Sequence, residues 1–178
     1  MSQRQPPKEI FSKRNQCRSE IHFSFGSFGI NVKSNSLRLL EQLAHYYRGY
    51  PKTDTETEVT VYLVDTPQPL ACQLEWKELP REPGKTNTKE RYFDFPTGRI
   101  IEKLRSGMSF WQGESPIGIG PCNQHFSQIV NFINNQYLNY FQRQGLILGH
   151  ASCFALEGKA TVIAAHSGGG KSTLMLEC

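Results

Sequence analysis

Apolar positions along this chain alternate at first and then take helical spacing. Ile21, Phe23 and Phe25 fall on one side of a stretch whose other side holds His22 and Ser24. After Gly26-Ser27 comes Phe28-Gly29-Ile30-Asn31-Val32. Period-two spacing on both sides of a glycine predicts two strands around a turn. Ser34-Asn35-Ser36 then precedes Leu37, Leu40, Leu43, Ala44 and Tyr47, spaced as on one helix face, with Gly49 and Pro51 as the stop. Glu58–Val64 alternates β-branched residues and predicts a strand. Arg91–Phe95 and Arg99–Leu104 predict a hairpin across Pro96-Thr97-Gly98, and Met108–Trp111 a further strand. Pro80–Lys89 and Ser115–Pro121 are expected to be loops, the first wholly without apolar residues and the second rich in Gly and Pro.

The strongest helical pattern follows. Asn123 is expected to cap it, its stripe is Phe126, Ile129, Val130, Ile133, Tyr137, Leu138, Tyr140 and Phe141, and Gly145 closes it. Its other face carries Asn and Gln rather than Lys and Arg, which favours a core-packing helix over a membrane-surface one. Leu146-Ile147-Leu148 leads into Gly149–Leu156, a tight turn at Glu157-Gly158 and a return through Lys159–Ala164. The elements add up to an α/β protein whose N-terminal part is α+β. Residues 1–19 are expected to be a flexible polar tail, 20–122 a mixed α+β region, and 123–178 a helix, a hairpin and the start of a second core.

Composition narrows the class. The chain has 178 residues, of which 38% are apolar, and eleven Phe, seven Tyr and two Trp supply core volume. No stretch approaches the ~18 consecutive apolar residues of a membrane helix, and the first residues lack an apolar signal region. Cys17, Cys72, Cys122, Cys153 and Cys178 are odd in number and form no C-x-x-C pair, which argues against a disulfide framework or a zinc site. These features point to a cytoplasmic location. The net charge is +4, with Arg4, Lys8, Lys13, Arg14 and Arg18 near the start. No aromatic platform accompanies them, so a solvated tail is expected rather than a nucleic-acid partner.

The chemistry concentrates near residue 170. Ala165-His166-Ser167-Gly168-Gly169-Gly170-Lys171-Ser172-Thr173 follows the β-branched run Thr161-Val162-Ile163 and precedes Leu174-Met175-Leu176. Strand, glycine-rich turn, Lys-Ser and helix in that order make a phosphate-binding loop. Glycines let successive backbone N–H groups converge on one concavity. Lys171 places a compact charge on the β- and γ-phosphates of a nucleotide. Ser172 offers its hydroxyl to Mg²⁺, which keeps few protein ligands beside phosphate oxygens. The pattern G-x-x-x-x-G-K-[ST] asks for glycine where Ala165 stands. The plain alternative is a glycine-rich turn with a chance Gly-Lys-Ser.

Four stretches together resemble the HPr serine kinase/phosphorylase superfamily: Gln128–Asn135, Gly149-His150-Ala151, Glu157-Gly158-Lys159-Ala160 and His166–Leu174. The similarity is greatest to the branch called HprK-related kinases, B type. Phe23-Ser24-Phe25-Gly26 and Gly98-Arg99-Ile100-Ile101 with Gly107-Met108 resemble the N-terminal region of that branch. In HPr kinases a His stands fifteen residues before the first loop position, and His150 stands fifteen before Ala165.

The resemblance implies ATP and Mg²⁺ as cofactors, a serine on a protein as acceptor, and a catalytic place for His150 beside Lys171. It implies loop binding by residues 165–173, with His166 offering only its backbone N–H and Ser172 the metal. Ring-like assemblies in that family, and any exposed sheet edge here, point to homo-oligomers. Thr173 stands where HPr kinases commonly carry Glu, so phosphorylase activity is not implied. The family's metal-binding acids and base follow the loop, where this chain has only Glu177; Asp54, Asp65 and Asp94 all lie upstream. The chain is therefore expected to be the N-terminal part of a kinase, inactive alone, with exposed apolar surface around Leu174 and Leu176. Two other classes stay open, another P-loop ATPase and a nucleotide-sensing or scaffold module without transfer.

Overall fold

The computed structural model describes residues 5–50, 55–68, 70, 72–78 and 88–177. The expected loop at Pro80–Lys89 lies, apart from Thr88 and Lys89, outside the described residues. Two compact units make up the chain, residues 1–137 and 138–178.

The first unit opens with α1 (Lys8–Ser12) and a 3₁₀ turn over Lys13–Gln16. Strands β1 (Ser19–Phe25) and β2 (Phe28–Ser34) pair as an antiparallel hairpin, with Phe25 opposite Phe28. Ser36 caps α2 (Leu37–Tyr46), accepting from the Leu39 N–H. The chain then crosses to β3 (Thr57–Asp65), which runs parallel to β2. β4 (Lys77–Glu78), β5 (Glu90–Phe95), β6 (Gly98–Lys103) and β7 (Met108–Gly113) form an antiparallel meander. β8 (Ile117–Gly120) closes the sheet between β7 and β3, and α3 (Phe126–Arg143) follows. Among the described residues this is an eight-stranded mixed sheet in the order β1-β2-β3-β8-β7-β6-β5-β4. The class is mixed α/β, as the sequence indicates.

Register explains the two cores. Phe23, Ile30 and Val61 share one face with Leu63 and Phe110. α2 and α3 cover that face. Phe23 packs on Tyr47 at 5.0 Å between ring centroids, Phe28 on Tyr137 at 6.0 Å, and Phe110 on Phe132 at 4.7 Å. Tyr47 donates to Asn134 Oδ1 at 3.0 Å and so ties the two helices together. The opposite face buries Val64, Phe95, Ile100, Trp111, Ile117 and Ile119.

Three expectations change here. Of the expected tail 1–19, residues 1–4 lie outside the described residues and residues 5–19 are not a free tail, because Ile10 is only 1% exposed and sits in the second core with Leu70. Phe11 meets Trp111 edge-on at 5.6 Å. The Arg14 guanidinium lies 4.6 Å from the Phe11 ring centroid and 5.2 Å from that of Tyr62, an arrangement in which cation–π attraction anchors a basic segment on an apolar sheet. Polar composition hid a few apolar anchors.

Ser115–Pro121 is not a loop. Ile117–Gly120 is a strand buried at every position, in the middle of the sheet. Its glycines mark close packing rather than a turn. A Cβ on Gly118 would lie 3.1 Å from Leu63 Cδ2 and 3.3 Å from Phe110 Cδ1. Gly118→Val is expected to destabilise the first unit by about 1–3 kcal/mol through overpacking, read as a lowered urea midpoint with unchanged slope. A neutral result would place those neighbours farther from residue 118.

Asn123 does not cap α3, which begins at Phe126. Its backbone N–H donates to Asp65 Oδ1 at 3.1 Å, and its Nδ2 to Asp65 Oδ2 at 2.6 Å and to Ser36 Oγ at 3.0 Å. It therefore pins the turn after β8 to the end of β3 and the start of α2. The expected boundary at 122/123 moves accordingly. Ile129, Val130, Phe132 and Ile133 bury their side chains within the first unit, so most of α3 belongs there rather than with the hairpin.

Candidate functional site

The second unit is built from local signals. At the end of α3, Gly145 takes φ of 85°. Its N–H bonds Gln142 O at 3.0 Å, and the Leu146 N–H bonds Phe141 O at 3.1 Å. This is the bonding of a Schellman stop, as Gly145 promised. β9 (Ala151–Leu156) and β10 (Lys159–Ala164) then form an antiparallel hairpin. Glu157 and Gly158 both take positive φ, 50° and 75°, the twist a two-residue hairpin turn requires.

That register positions the candidate site. Lys159 pairs with Leu156 and Ala164 with Ala151. The pairing ends there, and His150 and Ala165 each follow one residue beyond the last pair.

The loop runs from Ala165 to Gly170 and opens α4 (Lys171–Glu177). Gly168 and Gly170 take φ of 79° and 74°, which turns the chain back on itself. The Gly169 N–H donates to His166 O at 3.0 Å. Lys171 Nζ reaches back across the loop and donates to Ala165 O at 2.9 Å and His166 O at 3.1 Å. The Leu174 N–H bonds Gly170 O at 2.9 Å, the first turn of α4. Ser172 and Thr173 are exposed, as is the His166 side chain. The result is an exposed glycine turn with the Lys171 ammonium held on two of its carbonyls and the Ser172 residue exposed beside it. Such an arrangement can accept an anion of several oxygens and a hard cation bound to those oxygens.

Of the upstream acids, Asp54 lies outside the described residues, while Asp65 and Asp94 do other work in the first unit. Asp65 accepts the two bonds from Asn123 described above. Asp94 accepts from Arg99 at 2.6 Å and Lys77 at 3.4 Å, and its hydrogen bond with Arg99 chiefly holds its carboxyl below the usual range. Thiols divide by burial. Burial raises the pKa of Cys17, Cys72 and, most strongly, Cys122, which keeps them protonated and inert, while Cys153 on β9 is exposed. Cys178 lies outside the described residues.

Leu174 and Leu176 are 53% and 77% exposed, the apolar surface expected around α4. Among the described residues no three His, Cys, Asp or Glu side chains gather as a metal site. No helix there is long and apolar enough to cross a membrane.

Sequence reading placed the glycine-rich turn between a strand and a helix, where β10 and α4 flank it. It missed the steric fit between positions 165 and 169, for which the unusual Ala at the loop head was the available signal. The chain matches no protein-family model, and no curated protein or solved structure is significantly similar to it.

Proposed function

We propose that residues 138–178 hold the phosphates of ATP with Mg²⁺, as the nucleotide-binding portion of a cytoplasmic kinase resembling HPr serine kinase. The reaction is transfer of the γ-phosphoryl group to a hydroxyl, serine on a protein. The observation that carries this reading is the loop itself. Gly168 and Gly170 turn it back on itself, Lys171 Nζ lies across it on the Ala165 and His166 carbonyls, and His150 follows the β9–β10 pairing by one residue, as Ala165 does.

Roles follow from residue chemistry. Backbone N–H groups of residues 166–171 cradle the phosphates, apart from that of Gly169, which is bonded to His166 O. Lys171 stabilises charge on the β/γ oxygens, and Ser172 gives its hydroxyl to Mg²⁺. His150 orients groups near the γ-phosphate. Mg²⁺, when bound, neutralises phosphate charge. The edges of β9 and β10, with Leu156 and Val162 70% and 64% exposed, suit a homo-oligomer built by strand addition.

Transfer also needs a base for the acceptor hydroxyl. The acids of residues 138–178 are Glu157 and Glu177. Glu157 sits at the hairpin turn, the end remote from Ala165, and Glu177 ends α4. Thr173, where HPr kinases commonly carry Glu, and Ala165 at the loop head favour a second reading, a nucleotide-sensing module that binds without transfer.

Calorimetric titration of the full chain with Mg-ATP tests the reading. Binding is expected, and His150→Ala is expected to leave the affinity nearly unchanged, because its role is orientation near the γ-phosphate rather than charge on it. Absence of Mg-ATP binding would reduce the loop to a turn and the protein to an interaction module. Phosphoryl transfer to a protein serine by this chain alone would exclude the binding-only reading.

A further inference from the structure

The loop head departs from the general pattern in a way the structure makes intelligible. G-x-x-x-x-G-K-[ST] asks for glycine at its head and accepts any residue just before its second glycine. This chain has Ala165 at the head and Gly169 before Gly170. The two positions touch. A Cβ built on Gly169 falls 2.9 Å from Ala165 Cβ and 3.0 Å from His166 O. Carbon atoms pack at about 3.5–4.0 Å, so the space a side chain at 169 would need is filled by the Ala165 methyl.

Gly169 cannot simply withdraw. Its N–H is bonded to His166 O at 3.0 Å, and Lys171 Nζ holds that same carbonyl together with Ala165 O. Any push from residue 169 therefore moves the two carbonyls on which Lys171 rests. Gly169, unlike Gly168 and Gly170, does not take positive φ. What requires glycine there is room, not backbone conformation.

We propose that Ala165 and Gly169 are a size-matched pair of positioning residues. The methyl at the loop head demands glycine at 169, and together they set the carbonyl platform that aims Lys171. This rests on the nucleotide reading for its binding readout only.

The test uses Gly169→Ala, Ala165→Gly and the double variant in the full chain. Mg-ATP affinity is read by calorimetry, and amide hydrogen exchange at residues 166–172 by mass spectrometry. Gly169→Ala is expected to weaken binding by about tenfold to a hundredfold and to speed exchange in the loop. Ala165→Gly is measured as the second single variant, so that the double variant reads the coupling between the two positions. The double variant should recover part of the lost affinity and protection, because removing the methyl relieves the closer contact while His166 O stays 3.0 Å from the new Cβ. Parent-like behaviour of Gly169→Ala, or a double variant no better than Gly169→Ala, would overturn the pair. If the parent chain fails to bind Mg-ATP, the nucleotide reading falls, and the exchange data still decide whether the two positions are coupled.

Discussion

Lys171→Ala should remove measurable Mg-ATP binding from the full chain. Lys171 makes two charge-assisted hydrogen bonds, to Ala165 O and His166 O, and its ammonium is the one lysine charge within the loop. Hydrogen bonds to charged groups contribute about 1.5–3 kcal/mol each. Losing two such contacts to phosphate oxygens corresponds to a fall of about a hundredfold or more in affinity, at about 1.4 kcal/mol per tenfold. The substitution also leaves two loop carbonyls without their donor, which loosens the cradle itself. Lys171→Arg should recover only part of the binding, because a planar fork does not reproduce a compact ammonium point charge. Calorimetry on the three proteins under one Mg-ATP titration decides the matter. Equal affinity in Lys171→Ala and the parent would sink the phosphate-loop reading.

The second large effect lies in the other unit. Trp111→Ala is expected to cost about 3–5 kcal/mol of the first unit's stability. The Trp111 side chain is 2% exposed and joins the second core between Phe95, at 5.8 Å between ring centroids, and Phe11, at 5.6 Å. Its Nε1 donates to Glu114 O at 3.3 Å. The ring lies over Gly98 and Gly113, a cross-strand pair; a Cβ on either would come within 2.8 Å of Trp111 Cζ2. Neighbours that are glycine cannot grow into the cavity left by the indole, which puts the loss toward the upper end. Phe11 would lose its edge-on partner, so residues 5–18 should become the first site of limited proteolysis. Urea unfolding followed by far-UV circular dichroism measures the stability. A loss under about 1 kcal/mol would mean that the N-terminal segment is not anchored through this ring.

Much of the hairpin and loop was legible residue by residue. Glu157-Gly158, the alternation on either side, and Gly-Gly-Gly-Lys-Ser before Leu174 act through near neighbours, so local pattern and local structure agree. The same holds for the Ser36 cap and for the β5–β6 turn. The fit of Ala165 against Gly169 was not legible, because it depends on how the loop closes in space rather than on spacing along it. The bonds from Asn123 to Asp65 and Ser36 were equally hidden, since an Asn before an apolar helix reads as a cap whatever else it touches.

The sequence by itself determined the alternating strands, the two long helices with their stops, and the glycine-rich turn between β10 and α4. Each rests on period, cap or turn residues within a few positions, where the energetics are local. Only the tertiary structure decided that Ile117–Gly120 is a central strand, that Ile10 and Phe11 seal the second core, and that most of α3 belongs to the first unit. Those outcomes depend on burial against partners far away in sequence. A polar segment with a few apolar anchors, or a run alternating Ile and Gly, has no fixed local preference. It takes its conformation from the surface that covers it.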